Sequence, residues 1–196
     1  MVKPKQNMCI GCPGLCCRLQ VSLTAYDIAR IMIHEKRPVH EFVAVAEAKH
    51  NDPDGFKTRG GIKKFVLIQK ENNECIFLNI KDTLMCEVEN SKPAVCIAYP
   101  FLIFSEKPVL CPKPACPPGN LLFLDKEKMS GETLADCKWE KEQHYSIVKD
   151  WNVSEKEKED PRDFLMFSFR EIDLESSALG SVFRKVRRPF LPHLRI

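Results

Sequence analysis

Four of the ten cysteines in this 196-residue chain fall in the stretch Cys9-Ile10-Gly11-Cys12-Pro13-Gly14-Leu15-Cys16-Cys17. Thiolates are soft ligands suited to zinc and to iron–sulfur clusters, and a Cys-x-x-Cys loop aims two sulfurs at one centre while its backbone N–H groups stabilise their charge. Cys9 and Cys12 have that spacing. Pro13 stiffens the loop, Gly11 and Gly14 let it turn, and apolar packing alone does not account for so many thiols in so short a segment. The loop therefore reads as half of a metal site. Cys16 and Cys17, being adjacent, tend to point apart. They serve different centres, or one is a ligand and the other a neighbouring redox thiol. A tetrahedral site is incomplete from this loop, and Cys75, Cys86 and Cys96 are the candidates to complete it.

Cys111 and Cys116 lie in a proline-rich segment, residues 107–119. Proline lacks an N–H donor, so this segment cannot build a regular ladder, and ligation is one restraint that would order it. Cys137 sits on the apolar face of a predicted helix and reads first as a small buried hydrophobe. The five histidines, His34, His40, His50, His144 and His193, show no paired ligand spacing, and most read as surface or helix-end residues. No phosphate-binding glycine loop, Ser-His-Asp order or dinucleotide fingerprint is visible, so no catalytic constellation is identified and the question of an enzyme stays open.

An even cysteine count also suits five disulfides, and compartment decides between the two chemistries. Residues 1–8 carry positive charge but no apolar stretch behind it. The longest apolar runs, residues 65–68 and 101–104, fall far short of the ~20 residues of a membrane-spanning helix. The expectation is a cytoplasmic protein whose thiols stay reduced and available to metal. A net charge of +3 and a pI near 8.3 are too mild to indicate nucleic acid. The one basic patch, residues 183–192, is a candidate contact for a protein partner; the partner itself is unknown.

These residues need elements to position them. Residues 18–23 alternate apolar and polar and read as extended; Thr24 then caps a helix, with Asp27 as the reciprocal member of a capping box. Ile28, Ile31 and Met32 give that helix a buried face, and Pro38 ends it. A second helix is predicted over residues 39–49, with Phe42, Val43 and Ala46 inward. Residues 62–68 have the β-branched and aromatic content of a strand, residues 71–74 a hairpin loop, and residues 75–78 the returning partner. Another strand, residues 84–88, carries Cys86. Asn90 or Ser91 caps a short helix that holds Pro93 in its first turn, carries Cys96 and ends at Tyr99-Pro100-Phe101. Residues 101–104 read as a buried strand. From Gly131 a long helix aligns Leu134, Cys137, Lys141, Tyr145, Val148 and Trp151, with the Lys141 ammonium reaching water. Residues 155–160 form a charged linker, and residues 162–169 a final aromatic helix or strand packed back on the domain.

The loop ending in Cys16-Cys17, Val21-x-Leu23-Thr24-x-x-Asp27-Ile28-x-Arg30-Ile31, Cys75-x-x-Leu78, Cys86, Lys92-Pro93-x-x-Cys96 and Tyr99-Pro100-Phe101 together resemble the YkgJ-type cysteine cluster family over residues 9–101. That family is described as a zinc- or iron-chelating domain and also as an iron–sulfur-cluster-containing protein. The resemblance implies that Cys9, Cys12, Cys16, Cys17, Cys75, Cys86 and Cys96 are its metal cysteines; Cys111 and Cys116 fall beyond it. Three residues separate Cys12 from Cys16 where the family pattern has two. Lys92 and Ile97 stand where it often has arginine, so an anion-binding role does not transfer. Seven thiols exceed the four of one zinc or one [4Fe–4S] centre, which implies a second site or redox thiols.

The expected fold is α+β: a small irregular domain of short antiparallel strands and several helices, held together by a cysteine-ligated metal site. The metal domain spans residues 1–153. Residues 154–196 make up the charged linker, aromatic segment and basic tail. The expected function is metal binding through an iron–sulfur cluster of [4Fe–4S] type or zinc, with redox activity if iron–sulfur. The alternatives are a structural zinc module for protein interaction and an iron–sulfur-dependent enzyme acting on a protein partner.

Overall fold

Thr24 and Asp27 set the start of the first helix: the Thr24 hydroxyl accepts the Asp27 N–H and the Asp27 carboxylate accepts the Thr24 N–H, a complete capping box. The helix α1 (Ala25–Glu35) buries every residue from Ala25 to Ile31, so it runs through the interior, and Lys36 ends it in the left-handed region. The computed structural model describes residues 14–80, 84–104, 109–117, 132–154 and 158–172. Cys9, Cys12 and the basic segment 183–192 lie outside them.

The helix predicted over residues 39–49 does not form. A single 3-10 turn, Val39–Glu41, is followed by strand β1 (Val43–Glu47). The Val-Ala-Val-Ala pattern suits a period of two as readily as 3.6, and the β-branched valines favour the strand once a partner edge exists. That edge belongs to β3 (Gly61–Leu67), which pairs antiparallel with β1 from Val43↔Leu67 to Glu47↔Lys63 and with β2 (Phe56–Thr58) on its other side. The strand order is β1-β3-β2. With both edges of β3 occupied, residues 75–78 cannot return along it as predicted. The return stops at Ile76, after the Gln69↔Cys75 bridge and the Lys70–Glu74 and Ile76–Ile68 backbone bonds, and β4 (Leu78–Ile80) pairs instead with β5 (Leu84–Cys86), placing Leu78 opposite Cys86.

Helix α2 (Ala94–Ala98) carries Cys96 and ends at Tyr99, as the sequence predicts, but Pro93 is its N-cap and neither Asn90 nor Ser91 caps it. Ser91 donates to Glu35 at 2.5 Å, and the Ala94 N–H is accepted by the Asp27 carboxylate at 2.8 Å. Residues 101–104 are not a buried strand: one bridge joins Phe101 to Leu110, and Leu102 and Phe104 are exposed. The facing segment, with prolines at 112, 114 and 117, has too few N–H donors to extend a ladder.

Helix α3 (Glu132–Val153) has 22 residues, and α4 (Pro161–Glu171) opens with Asp160 and Asp163 in a second capping box and Pro161 in the first turn. Among the described residues two clusters make the core. The larger joins Tyr26, Ile28 and Ile31 of α1, Phe42, Phe56 and Phe65 of the sheet region, Phe77, Trp151 of α3, and Phe164 and Leu165 of α4. The smaller joins Ala94, Ala98, Phe101, Ile103, Leu134 and Cys137. The architecture is α+β, with short antiparallel strands beside the helices. One expectation fails on α3, and one histidine departs from the majority. Lys141 is 3% exposed and pairs with Asp54 at 2.7 Å, so its ammonium does not reach water, and His144 is 1% exposed. Both follow from the turn before β2, which closes onto α3. At Gly55 that turn is so tight that a Cβ would stand 2.8 Å from the Ile62 side chain and 2.9 Å from the Asp52 carbonyl.

Candidate metal centre

Gly14, at φ 67, adopts a left-handed conformation and starts the 3-10 turn Leu15–Arg18. This turn carries Cys16 and Cys17. Its exit is fixed by the rest of the fold: the Cys75 N–H donates to the Cys17 carbonyl at 2.7 Å, and Arg18 pairs with Glu74 at 3.1 Å. From Cys75 the chain turns, the Leu78 N–H donating to the Cys75 carbonyl at 2.9 Å, and Leu78 then faces Cys86 across the β4–β5 ladder. Backbone bonds thus link the segments of Cys17, Cys75 and Cys86, and α2 brings Cys96 to the same region.

The thiols feel one another. Cys17 senses the charges of Cys16, Cys75 and Cys86, and Cys96 those of Cys75, Cys86 and Cys16. Loss of water, followed by these like charges, drives Cys96 well above the usual thiol range; desolvation also raises Cys75, and it lifts Cys86 to about 11. Cys16 goes the other way, to about 7, chiefly because the Cys17 thiol donates to its sulfur, and that same bond holds the Cys17 proton in place. The fold supplies compensation for thiolate charge: the Phe77 and Leu78 N–H groups donate to the Cys75 sulfur, the Val88 N–H to the Cys86 sulfur, and the Lys92 ammonium favours thiolate at Cys16 and Cys86. N–H donors two and three residues beyond a cysteine are the arrangement that stabilises a metal-bound thiolate. The donor set therefore fits a thiophilic metal. Among the described residues no three His, Cys, Asp or Glu side chains stand close enough to hold an ion, so the structure places a neighbourhood of thiols and not a closed shell.

The other cysteines separate by environment. Cys111 and Cys116 lie beside Tyr99, at the end of α2. The Ala115 N–H donates to the Tyr99 hydroxyl and the Cys111 N–H to the Pro100 carbonyl at 2.8 Å. Desolvation and then the charges of Cys116, Cys16 and Cys111 raise Tyr99, so this loop borders the thiol group. Cys137 is fully buried against Ala94 and Ala98, and burial pushes its thiol to about 12. It packs as a hydrophobe. The eight described cysteines are free thiols.

Sequence reading missed the charged cluster behind this region. Asp27 and Arg30 of α1 and Glu140 of α3 are at most 1% exposed. Arg30 Nη1 donates to both Glu140 oxygens at 2.8 and 2.9 Å, and Nη2 to Asp27 Oδ1 at 2.6 Å. Burial works against the guanidinium charge, but the two carboxylates outweigh it and hold Arg30 above its ordinary value. A signal was present: Asp27 and Arg30 interrupt the apolar run Ile28, Ile31, and a charged pair inside a buried stripe calls for a partner. Glu140 could not be paired with them from sequence, because it is distant along the chain.

Residues 8–117 match the sequence family CxxCxxCC, whose description reads "Putative zinc- or iron-chelating domain". The matched stretch runs past Phe101 and takes in Cys111 and Cys116. No curated protein and no solved structure matches the chain.

Proposed function

The chain belongs to the CxxCxxCC family of zinc- or iron-chelating domains, and we propose that it holds its metal as an iron–sulfur centre through thiolates drawn from Cys9, Cys12, Cys16, Cys17, Cys75, Cys86 and Cys96. The observation that carries this reading is the gathering of Cys16, Cys17, Cys75, Cys86 and Cys96 from four separate segments, joined by the Cys75–Cys17 backbone bond and the Leu78–Cys86 register and close enough to feel one another's charge. Four thiolates complete either one zinc ion or one [4Fe–4S] cluster, so the surplus implies a second centre or redox thiols, and redox thiols have a use beside an iron–sulfur cluster that they lack beside a structural zinc ion. Cys111 and Cys116, bordering the group beside Tyr99, are reserve ligands for a second centre. A bound cluster would supply one-electron chemistry. The residues of this chain would fix the sulfurs, offset their charge through Lys92 and the N–H donors, and join segments far apart in sequence, so that binding energy counts as folding energy. We place the protein in the cytoplasm, where its thiols stay reduced; among the described residues no helix is long and apolar enough to cross a membrane.

Anaerobic purification followed by metal and sulfide analysis and a visible absorption spectrum tests this. Coloured protein with iron and acid-labile sulfide is expected. Colourless protein with stoichiometric zinc overturns the cluster and keeps thiolate chelation. Folded, metal-free protein with intact disulfides overturns both.

A further inference from the structure

The turn and helix that carry Cys96 are held to the rest of the fold by side chains. Arg30 Nη2 donates to the Lys92 carbonyl at 3.2 Å, and Asp27 Oδ1 accepts the Ala94 N–H at 2.8 Å. These two bonds grip the backbone on either side of Pro93, whose ring restricts its own φ. The Cys96 N–H then donates to the Pro93 carbonyl at 2.8 Å, so the cysteine sits one short helical step from the gripped residues. A pair of charges that only stapled α1 to α3 would need the Arg30–Glu140 contacts alone. Here the same guanidinium and the same carboxylate each reach out to main-chain atoms of the cysteine's own turn.

We infer that Asp27 and Arg30 are positioning residues for Cys96, with Glu140 holding the Arg30 fork in place; this rests on the metal reading above. Three features make the arrangement suited to aiming a ligand. The group is desolvated, so its bonds are not loosened by water. Arg30 contacts Asp27, Glu140 and the Lys92 carbonyl from one planar fork, a geometry that lysine cannot reproduce. One Asp27 oxygen, Oδ1, accepts both from Arg30 Nη2 and from the Ala94 N–H, so the guanidinium and the cysteine's turn are tied through a single atom.

The test loads the full-length, anaerobically purified chain with Co2+, whose thiolate-to-metal absorption reports how many sulfurs bind it. Arg30→Lys keeps the charge and loses the fork. Ala94→Pro removes the N–H that Asp27 accepts, at a first helical position and after a residue already extended at ψ 145; because Ala94 is fully buried, urea unfolding of the same variant separates the lost bond from the packing of the added ring. Cys96→Ser gives the reference spectrum, and Asp54→Asn cuts the other buried ion pair of α3 as a stability control. Arg30→Lys and Ala94→Pro are expected to bind Co2+ about 10–100-fold more weakly and to show the spectrum of Cys96→Ser, the loss typical of a group that orients a ligand. Asp54→Asn is expected to keep the wild-type spectrum. Wild-type affinity and spectrum in either positioning variant overturn the inference, as does an equal loss in Asp54→Asn. Wild-type protein without thiolate bands, or Cys96→Ser with the wild-type spectrum, overturns it at a different point, in the metal reading or the ligand assignment itself.

Discussion

At the scale of single residues, cysteines of one chemical type divide into two kinds. Cys86 receives an N–H bond on its sulfur, feels Lys92 and faces other thiols. Cys137 is sealed between α2 and α3 among alanines and leucine. Replacing Cys86 with serine is expected to release metal and destabilise the fold, while Cys137→Ala keeps the full metal content and costs about 1 kcal/mol of packing. Metal analysis with denaturant unfolding of both variants checks this, and full retention by Cys86→Ser would remove the sheet cysteines from the ligand set. The Cys-x-x-Cys spacing announced thiolate chemistry without any structure, because ligand preference is a property of the sulfur. The protonation state of each thiol was not readable in that way, because it depends on a neighbour's hydrogen bond or on lost water. Cys16, at about 7, and Cys86, at about 11, differ for that reason.

At the scale of elements, the reliable readings were those set by local chemistry. The Thr24–Asp27 capping box, the long α3 and the irregular proline-rich loop depend on neighbours in sequence. Residues 39–49 failed because valine and alanine accept either periodicity, and the open edge of β3 decided between them. Residues 75–78 failed for the converse reason, the edge being already filled. Helix α4 was left between helix and strand by its aromatics alone. In the structure its Phe164 stacks on Phe56 at 4.2 Å between ring centroids and contacts Phe65, His144 and Trp151. Truncation of so enclosed a ring creates a cavity between sheet and helices. Phe164→Ala is therefore expected to lower unfolding stability by about 3–5 kcal/mol, measured by urea denaturation. A loss under about 1 kcal/mol would show that α4 contributes little to this core.

At the scale of the whole molecule, the buried Asp54–Lys141–His144 group makes stability depend on pH. His144 accepts from the Ala25 N–H through Nδ1 at 3.4 Å, and Nε2 lies 3.6 Å from Asp54. Burial and then the adjacent Lys141 charge depress its pKa to about 3, against a weaker opposing pull from Asp27. The unfolded chain takes up a proton near pH 6.5 that the folded chain refuses until about pH 3, so stability is lost as pH falls through this window, at about 1.4 kcal/mol per unit. Between pH 7 and 5 the loss from this residue is about 2 kcal/mol. His144→Gln, which does not titrate, should flatten the profile by that amount in urea unfolding at constant ionic strength. Metal release at low pH affects both proteins and cancels in the comparison. An unchanged slope in the variant would show that His144 is not the titrating group.

The sequence by itself determined that this chain belongs to a zinc- or iron-chelating family, where its first helix begins and that its later loop cannot be a sheet. Each of these follows from side-chain chemistry or from hydrogen bonds between near neighbours. Only the tertiary structure decided that Lys141 and His144 are buried and that a buried arginine in α1 grips the turn of a cysteine far along the chain. Those outcomes depend on which edge, face or carboxylate arrives from a distant segment, and no local pattern of residues carries that information.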